Sequence, residues 1–203
     1  GRPLQGVIVM GFVVIDPGHG GKEMGAIGER LFEKDINLNI ALKVEQYLTR
    51  YGIEVEMTRR NDEDVSLVER VGFANELDPE AFVAIHCNAF NDPAAHGTET
   101  WVPNTYDTRK FGASVALGYI VHQHLLVTCN GQDRGIKYKE DESKEFYVLK
   151  HTAMPACLVE IDFLTNPEAE ARLGEEWFRE KAALGIAEGI RRFLEIPTWE
   201  GRE

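Results

Sequence analysis

The sequence predicts an α/β layered fold with a largely parallel central sheet. Three observations carry that prediction: short apolar runs that stop at Pro or Gly, segments of helical period lying between them, and the alternation of the two in short units. At 203 residues the chain is about one and a third times a typical domain of ~150, so one compact unit is expected. Its 43% apolar and 28% charged residues give an ordinary soluble composition with enough material for a sizeable core. No internal repeat, linker or low-complexity tract interrupts it.

The first strand is read at Phe12-Val-Val-Ile-Asp16, a continuous apolar run stopped by Pro17 and Gly18, as in a strand covered on both faces. A loop carrying Gly18, Gly20, Gly21, Gly25 and Gly28 follows. From Asp35 the pattern turns helical: Ile40, Ala41, Val44, Tyr47, Leu48 and Tyr51 share one face, and Gly52 is placed to end the helix. Ile53 to Met57 supplies the next short strand. Ser66 and Glu69 form a capping box ahead of Leu67, Val68, Val71 and Ala74, opening a helix that finishes near Leu77 to Pro79. Phe82-Val-Ala-Ile-His86 is another buried strand, Thr98 to Val102 a further one, and Asp107 to about Val127 a helix. The polar stretch from Asn130 to Glu145, with its charge run from Glu140 onward, is expected to be an exposed loop. Pro155 to Glu160 reads as a buried strand, and Asn166-Pro167-Glu168 combines an N-cap, a proline at the first helical position and an acid in the first turn. The final helix carries Phe178, Ala182, Ile186, Gly189, Ile190 and Phe193 on one stripe and stops before Pro197.

The charge balance narrows the partners. A net charge of −12 opposes binding to phosphate backbones and anionic lipid, which rests on cationic counterion release, so no nucleic-acid partner is expected. The longest apolar run, Val7 to Ile15, falls far short of the ~20 residues of a membrane-crossing helix. No membrane span is read, a secretion signal is expected to be absent or already removed, and Met10 fits a native start behind a cloning remnant. Cys87, Cys129 and Cys157 are odd in number and widely spaced, which fits neither a disulfide scaffold nor a zinc module of paired cysteines; at most one bridge could form.

In open α/β sheets ligands collect beyond the carboxyl ends of the strands, and three such ends carry ionisable groups here: Asp16-Pro-Gly-His19, His86 and Glu160. Each interrupts an apolar run that core packing alone would not interrupt, and polar groups at buried strand ends ask for partners. Two imidazoles and a carboxylate make the donor set of many catalytic zinc sites, with His19 and His86 as the imidazoles. Glu33 and Glu160 compete for the third position, and spacing alone does not choose between them; the one left over would serve as general base. Taken singly, each residue has an ordinary structural role open to it: a hydrogen-bonded histidine at a strand end, a solvated acid in a loop. Glu160 is the hardest to dismiss, because a carboxylate following Cys-Leu-Val in a buried strand is costly without a partner or metal. His96, His122, His124 and His151 are assigned to surface or core. Cys87 points away from His86 along a strand, so the two cannot form a nucleophilic dyad. His19-Gly-Gly-Lys22 departs from a phosphate loop at Asp16 and Glu23, and neither a G-x-S-x-G elbow nor an H-E-x-x-H helix is present.

Four motifs in order then carry a resemblance over about Phe12 to Leu194: Val14-Ile-Asp-Pro-Gly-His-Gly-Gly21, Glu33-Lys-Asp35, Ala84-Ile-His-Cys-Asn-Ala89, and Pro155-Ala-Cys-Leu-Val-Glu160 with Phe163-Leu-Thr-Asn-Pro167. The chain resembles the type 3 N-acetylmuramoyl-L-alanine amidases. Supporting matches are Thr58-Arg59 with Asp62 and Arg70, Gly97-Thr-Glu99, Arg134-Gly135 and Phe146-Tyr-Val-Leu149. The resemblance implies a single domain with a mixed, mostly parallel sheet of about six strands flanked by helices. It divides the chain into an extension or tag remnant at 1–11, a catalytic domain at 12–196 and a tail at 197–203. By similarity, Zn2+ would be bound by His19, Glu33 and His86, and Glu160 would be the catalytic carboxylate. The implied reaction is hydrolysis of the amide between N-acetylmuramic acid and L-alanine in peptidoglycan. The alternatives are a zinc peptidase or other amide hydrolase on the same scaffold, and a non-catalytic wall-binding homologue.

Some similar periplasmic proteins carry a long helical insertion over the zinc, whereas only a short loop runs here from Asn88 to Thr98, which implies an open site without built-in autoinhibition. Asp162 stands where glycine is common. It would either face the side of Glu160 and raise a pKa by like charge, or lie in a loop. No wall-binding repeat accompanies the catalytic unit, substrate-binding residues are not assigned, and a monomer is expected. The expected location is the periplasm or cell wall, with a cytoplasmic phage-type lysin as the alternative.

Overall fold

Val13, Val14 and Ile15 are wholly buried and form β1 (Phe12–Pro17), the strand that the first apolar run predicts. In this computed structural model the described residues are 11–141 and 144–196. The expectations for the extension up to residue 10, for the tail at 197–203 and for positions 142–143 of the charge run lie outside them.

β1 pairs in parallel with β2 (Glu54–Met57) on one side and β3 (Ala81–Asn88) on the other. β3 pairs in parallel with β6 (Ala156–Phe163), which runs antiparallel to β4 (Thr98–Trp101). β5 (Asp133–Lys137) lies parallel to β4 at the edge, giving a six-stranded sheet in the order β2-β1-β3-β6-β4-β5. The sheet is therefore mixed and mostly parallel, as the resemblance implies.

Two layers of helix close it. α1 (Glu33–Arg50), α3 (Thr108–Cys129) and α6 (Glu176–Leu194) bury their apolar stripes against one face, in the larger core cluster with Ile15, Val83 and Val159. α2 (Leu67–Leu77) and α4 (Tyr147–His151) cover the other face through Val71, Ala74, Val148 and Leu149. α5 (Pro167–Gly174) adds Leu173 to the larger cluster. The caps are those read from the sequence: the Glu69 amide donates to Ser66 Oγ at 3.2 Å while Glu69 Oε2 accepts from the Ser66 amide at 2.8 Å, and Asn166 Oδ1 accepts from the Ala169 amide at 2.9 Å. Leu67 and Val68 are exposed on the first turn of α2, whereas Val71 and Ala74 are buried.

Two segments depart from expectation. The stretch from Asn130 contains a strand, β5, because an edge strand made of Asp-Arg-Gly-Ile-Lys needs no alternation of apolar residues and hides in a polar sequence. α4 is too short to show a helical period. The three thiols are free, and among the described residues no helix is long and apolar enough to cross a membrane.

Candidate metal centre and cleft

The first imidazole is presented by a strained loop held from behind. His19 has a φ of +62°, unusual for a residue other than glycine, and such strain persists only where the surroundings fix it. Two buried arginines do so. Arg70 donates to His19 O at 2.7 Å and Pro17 O at 2.8 Å while pairing with Asp16 Oδ1 at 2.6 Å. Arg59 donates to Pro17 O and Gly18 O, each at 2.9 Å. Thr58 adds its hydroxyl to Asp16 at 2.5 Å. Gly18 is required here, because a Cβ at that position would run into the His86 ring.

The second imidazole and the first carboxylate meet that loop. His86 comes from the end of β3, and Glu33 is the first residue of α1, where the helix N-terminus favours a negative charge. Glu33 Oε2 lies 3.2 Å from His19 Nε2, and Glu33 Oε1 lies 2.9 Å from His86 Nδ1. The Ala26 amide donates to Oε2 at 2.6 Å, and the Cys87 amide and Asn37 Nδ2 donate to Oε1 at 3.1 and 3.2 Å. Burial would raise the Glu33 pKa, but the hydrogen bonds and charges of His19 and His86 overcome it and hold the carboxyl far below its usual range. One donor atom from each of His19, Glu33 and His86 lies within 4.8 Å of the others, and among the described residues this is the group able to hold a metal ion. Cys87, one residue on from His86, is buried, and burial pushes its thiol well up, so it offers no nucleophile.

Glu160 sits one strand over. It is the register partner of His86 across β3 and β6 and of Glu99 across β6 and β4, so His86, Glu160 and Glu99 form a polar row across one face of the sheet. Glu160 is 9% exposed, and its Oε2 has no hydrogen-bond partner. Burial pushes its pKa well above the ordinary carboxylate value, and the charges of Glu33 and Glu99 push the same way, with Lys139 opposing. Glu99 is the opposite case. It accepts from Lys137 Nζ at 2.5 Å, Asn88 Nδ2 at 2.8 Å, Arg134 Nε at 2.9 Å and Trp101 Nε1 at 3.2 Å.

Asp162 corrects both readings given to it. It lies within β6, not in a loop, and a bulge intervenes, since β3 advances from His86 to Asn88 while β6 advances from Glu160 to Phe163. Its carboxylate pairs with Arg172 at 2.7 Å and accepts from the Gly97 amide at 2.8 Å, and it is not among the charges that raise Glu160.

A cleft of about 780 Å³ opens over His19, Glu33, His86 and Glu160, walled by Ser66 and Leu67 of the α2 entry and by Phe146, Tyr147 and Val148 at α4. The loop from residue 89 to 97 is short and carries no helix. His96, His124 and His151 stand away from the cleft. His122 is buried between Thr100 Oγ1 at 3.0 Å and Asp133 Oδ1 at 2.9 Å, a structural residue. Sequence reasoning missed Asn37, Asn88, Trp101, Lys137 and Lys139. Asn37 could have been found, being four residues beyond Glu33 on the same helix face.

The sequence profile of the N-acetylmuramoyl-L-alanine amidase family matches residues 13–192. N-acetylmuramoyl-L-alanine amidase LytC of Bacillus subtilis (strain 168) is 36% identical over 186 residues, covering 92% of this chain and 36% of that protein. The endolysin of Bacillus phage SPP1 is 35% identical over 193 residues, covering 93% of this chain and 68% of that protein. Among solved structures, the catalytic domain of CwlV, an N-acetylmuramoyl-L-alanine amidase from Bacillus (Paenibacillus) polymyxa var. colistinus, superposes with a TM-score of 0.82 at 38% identity, covering 92% of this chain and 99% of that one. The chain thus spans about a third of one relative and nearly all of a solved catalytic domain.

Proposed function

The chain belongs to the N-acetylmuramoyl-L-alanine amidase family, and we propose that it hydrolyses the amide between the lactyl group of N-acetylmuramic acid and L-alanine in peptidoglycan, using Zn2+ held by His19, Glu33 and His86. The observation that carries the reading is Glu160: a buried carboxylate with a free oxygen, in the cleft, in register with His86. A structural carboxylate this buried would have its lone pairs taken, as those of Glu99 are.

The donor set fits the metal. Two neutral imidazoles and a carboxylate are the ligands of a catalytic zinc site that keeps one position open, and one donor atom from each of His19, Glu33 and His86 lies within 4.8 Å of the others. Zinc supplies Lewis acidity there, polarising a carbonyl and lowering the pKa of a water. Glu33 is oriented by the Ala26 and Cys87 amides and by Asn37, a set of outer bonds that fixes ligand geometry. Arg59 and Arg70 hold the backbone that aims His19. Glu160 takes a proton from the attacking water at its free Oε2 and returns it to the leaving amine, the two halves of general base and acid work. Only 9% of Glu160 is exposed, and the low dielectric around a buried group strengthens those proton contacts.

Purified protein loaded with zinc should release new L-alanine amino termini from peptidoglycan and leave a simple dipeptide intact. Glu160→Gln should keep its metal and lose turnover, whereas His19→Ala should lose both; near wild-type turnover in Glu160→Gln would refute the assignment. The relatives include both a bacterial amidase and a phage endolysin, and the proposed reaction would act on the wall polymer in either setting.

A further inference from the structure

We propose that Lys139, presented on the rings of Trp101 and Phe146, reads a carboxylate of the substrate's stem peptide, so that the cleft selects acidic stems over amidated ones. The inference rests on the peptidoglycan reading above and assigns a specificity residue to the same site.

Lys139 Nζ lies 4.1 Å from the centre of the Trp101 ring and 5.0 Å from that of Phe146, and the two rings meet edge to face at 5.4 Å. Two aromatic faces restrain the long side chain and hold its ammonium in place without neutralising it. Phe146, against which the ammonium rests, and Glu160 line the same cleft, and the charge of Lys139 is felt at Glu160. No carboxylate among the described residues pairs with Lys139. The neighbouring cations are already committed, since Arg134 and Lys137 both bind Glu99, and Lys137 Nζ also stands 5.5 Å from the Trp101 ring. Glu145, beside Phe146, is taken up by the amides of Asn104 and Phe146.

Three cations thus gather around Glu99 and Trp101, beside the Phe146 edge of the cleft, in a chain of net charge −12, and one of them is unspent. A local reversal of sign at a cleft wall focuses an anionic ligand on that wall. The reacting carbonyl must sit by Glu160, so the stem peptide beyond L-alanine is the part of the substrate that can run along β4 toward Lys139. In the acidic form of that stem, the residue after L-alanine carries a free carboxylate; in the amidated form it carries a neutral carboxamide.

Two soluble muropeptides that differ only there, N-acetylmuramoyl-L-alanyl-γ-D-glutamyl-L-lysinamide and its D-isoglutaminyl counterpart, both with the γ-carboxyl closed as an amide, test the inference. Wild-type protein should show a KM on the order of tenfold lower for the acidic ligand, the size of one charge-assisted hydrogen bond at a half-buried site. Lys139→Gln should bring the KM ratio to about one, and Lys139→Arg should restore it. Equal KM values in the wild type overturn the inference. So does a Lys139→Gln protein whose kcat falls equally on both ligands with the ratio intact, because Lys139 would then act only on the charge of Glu160. Should the protein hydrolyse neither ligand, the proposed reaction fails; equilibrium binding of the same two ligands to wild type and Lys139→Gln then decides this inference by the same ratio.

Discussion

Glu99 and Glu160 lie directly opposite one another across β4 and β6, both nearly out of solvent, and the protein treats them in opposite ways. Glu99 receives four side-chain donors, two of them cationic, which outweigh the effect of burial and hold its pKa below the ordinary value. Glu160 has an oxygen with no donor, and its pKa is driven up. Like charges placed opposite in an antiparallel pair repel, so this arrangement is stable only if one partner is neutralised by its surroundings. Under the proposed function the contrast separates a carboxylate that holds structure from one kept free to move protons, and environments that push two carboxyls apart are how such roles are divided. Asp16, paired with Arg70, belongs with Glu99 on the structural side of this divide.

The sharpest break of the comparison is Glu160→Gln. Under the proposed role, kcat should fall by a factor of roughly 10²–10⁴, the usual contribution of a positioned acid–base group, with zinc content unchanged. The same substitution removes a buried carboxylate that lacks a partner, so the metal-free protein should melt at the wild-type temperature or above it. A marked drop in Tm would show that Glu160, like Glu99, holds structure.

Next in size is Arg70→Met. Its guanidinium is buried against Asp16 and against the carbonyls of Pro17, His19 and Val65, and removing one member of a buried pair typically costs about 3–5 kcal/mol. Urea unfolding should show a loss of that order. Metal affinity should also fall, because the loop that aims His19 loses its tether. A variant with full stability and full zinc affinity would mean that the strained conformation at His19 is held by Arg59 alone.

These two sets of residues were not equally legible in the sequence. β1, β3 and β6 announce themselves because strands buried on both faces are continuously apolar, and a single ionisable residue at the end of such a run stands out, as His86 and Glu160 do. The Ser66–Glu69 and Asn166 caps are local chemistry and read directly. β5 and α4 escaped because neither buries a periodic face. The choice of Glu33 over Glu160 for the metal group was beyond spacing. It depends on the fold bringing the start of α1, the glycine loop and the end of β3 to one point; the four-motif resemblance implies Glu33, and the assignment belongs to the proposed function. Asp162 misled for a related reason: strict alternation along a strand fails at a bulge, which the sequence does not mark. Lys139 was hidden because the role proposed for it depends on Trp101, which is distant in sequence and brought beside it by the fold.

The smallest expected effect isolates Glu99 through pH. Its folded-state pKa lies below the ordinary 4.5 because the Lys137 and Arg134 hydrogen bonds outweigh burial. A carboxyl whose pKa is depressed by folding contributes stability that is fully present above its unfolded pKa and is lost as pH falls through the folded value. Glu99→Gln should therefore be less stable than wild type at pH 7 by about 1–2 kcal/mol, the net worth of hydrogen bonds to charged partners that are themselves partly exposed. Below pH 4.5 the wild-type advantage should shrink, and the two stability curves should converge in acid. Chemical denaturation of the metal-free proteins from pH 7 down to pH 3 reads this directly. Parallel curves across that range would mean that Glu99 is not held ionised by its cations, and that its difference from Glu160 is one of packing and not of charge.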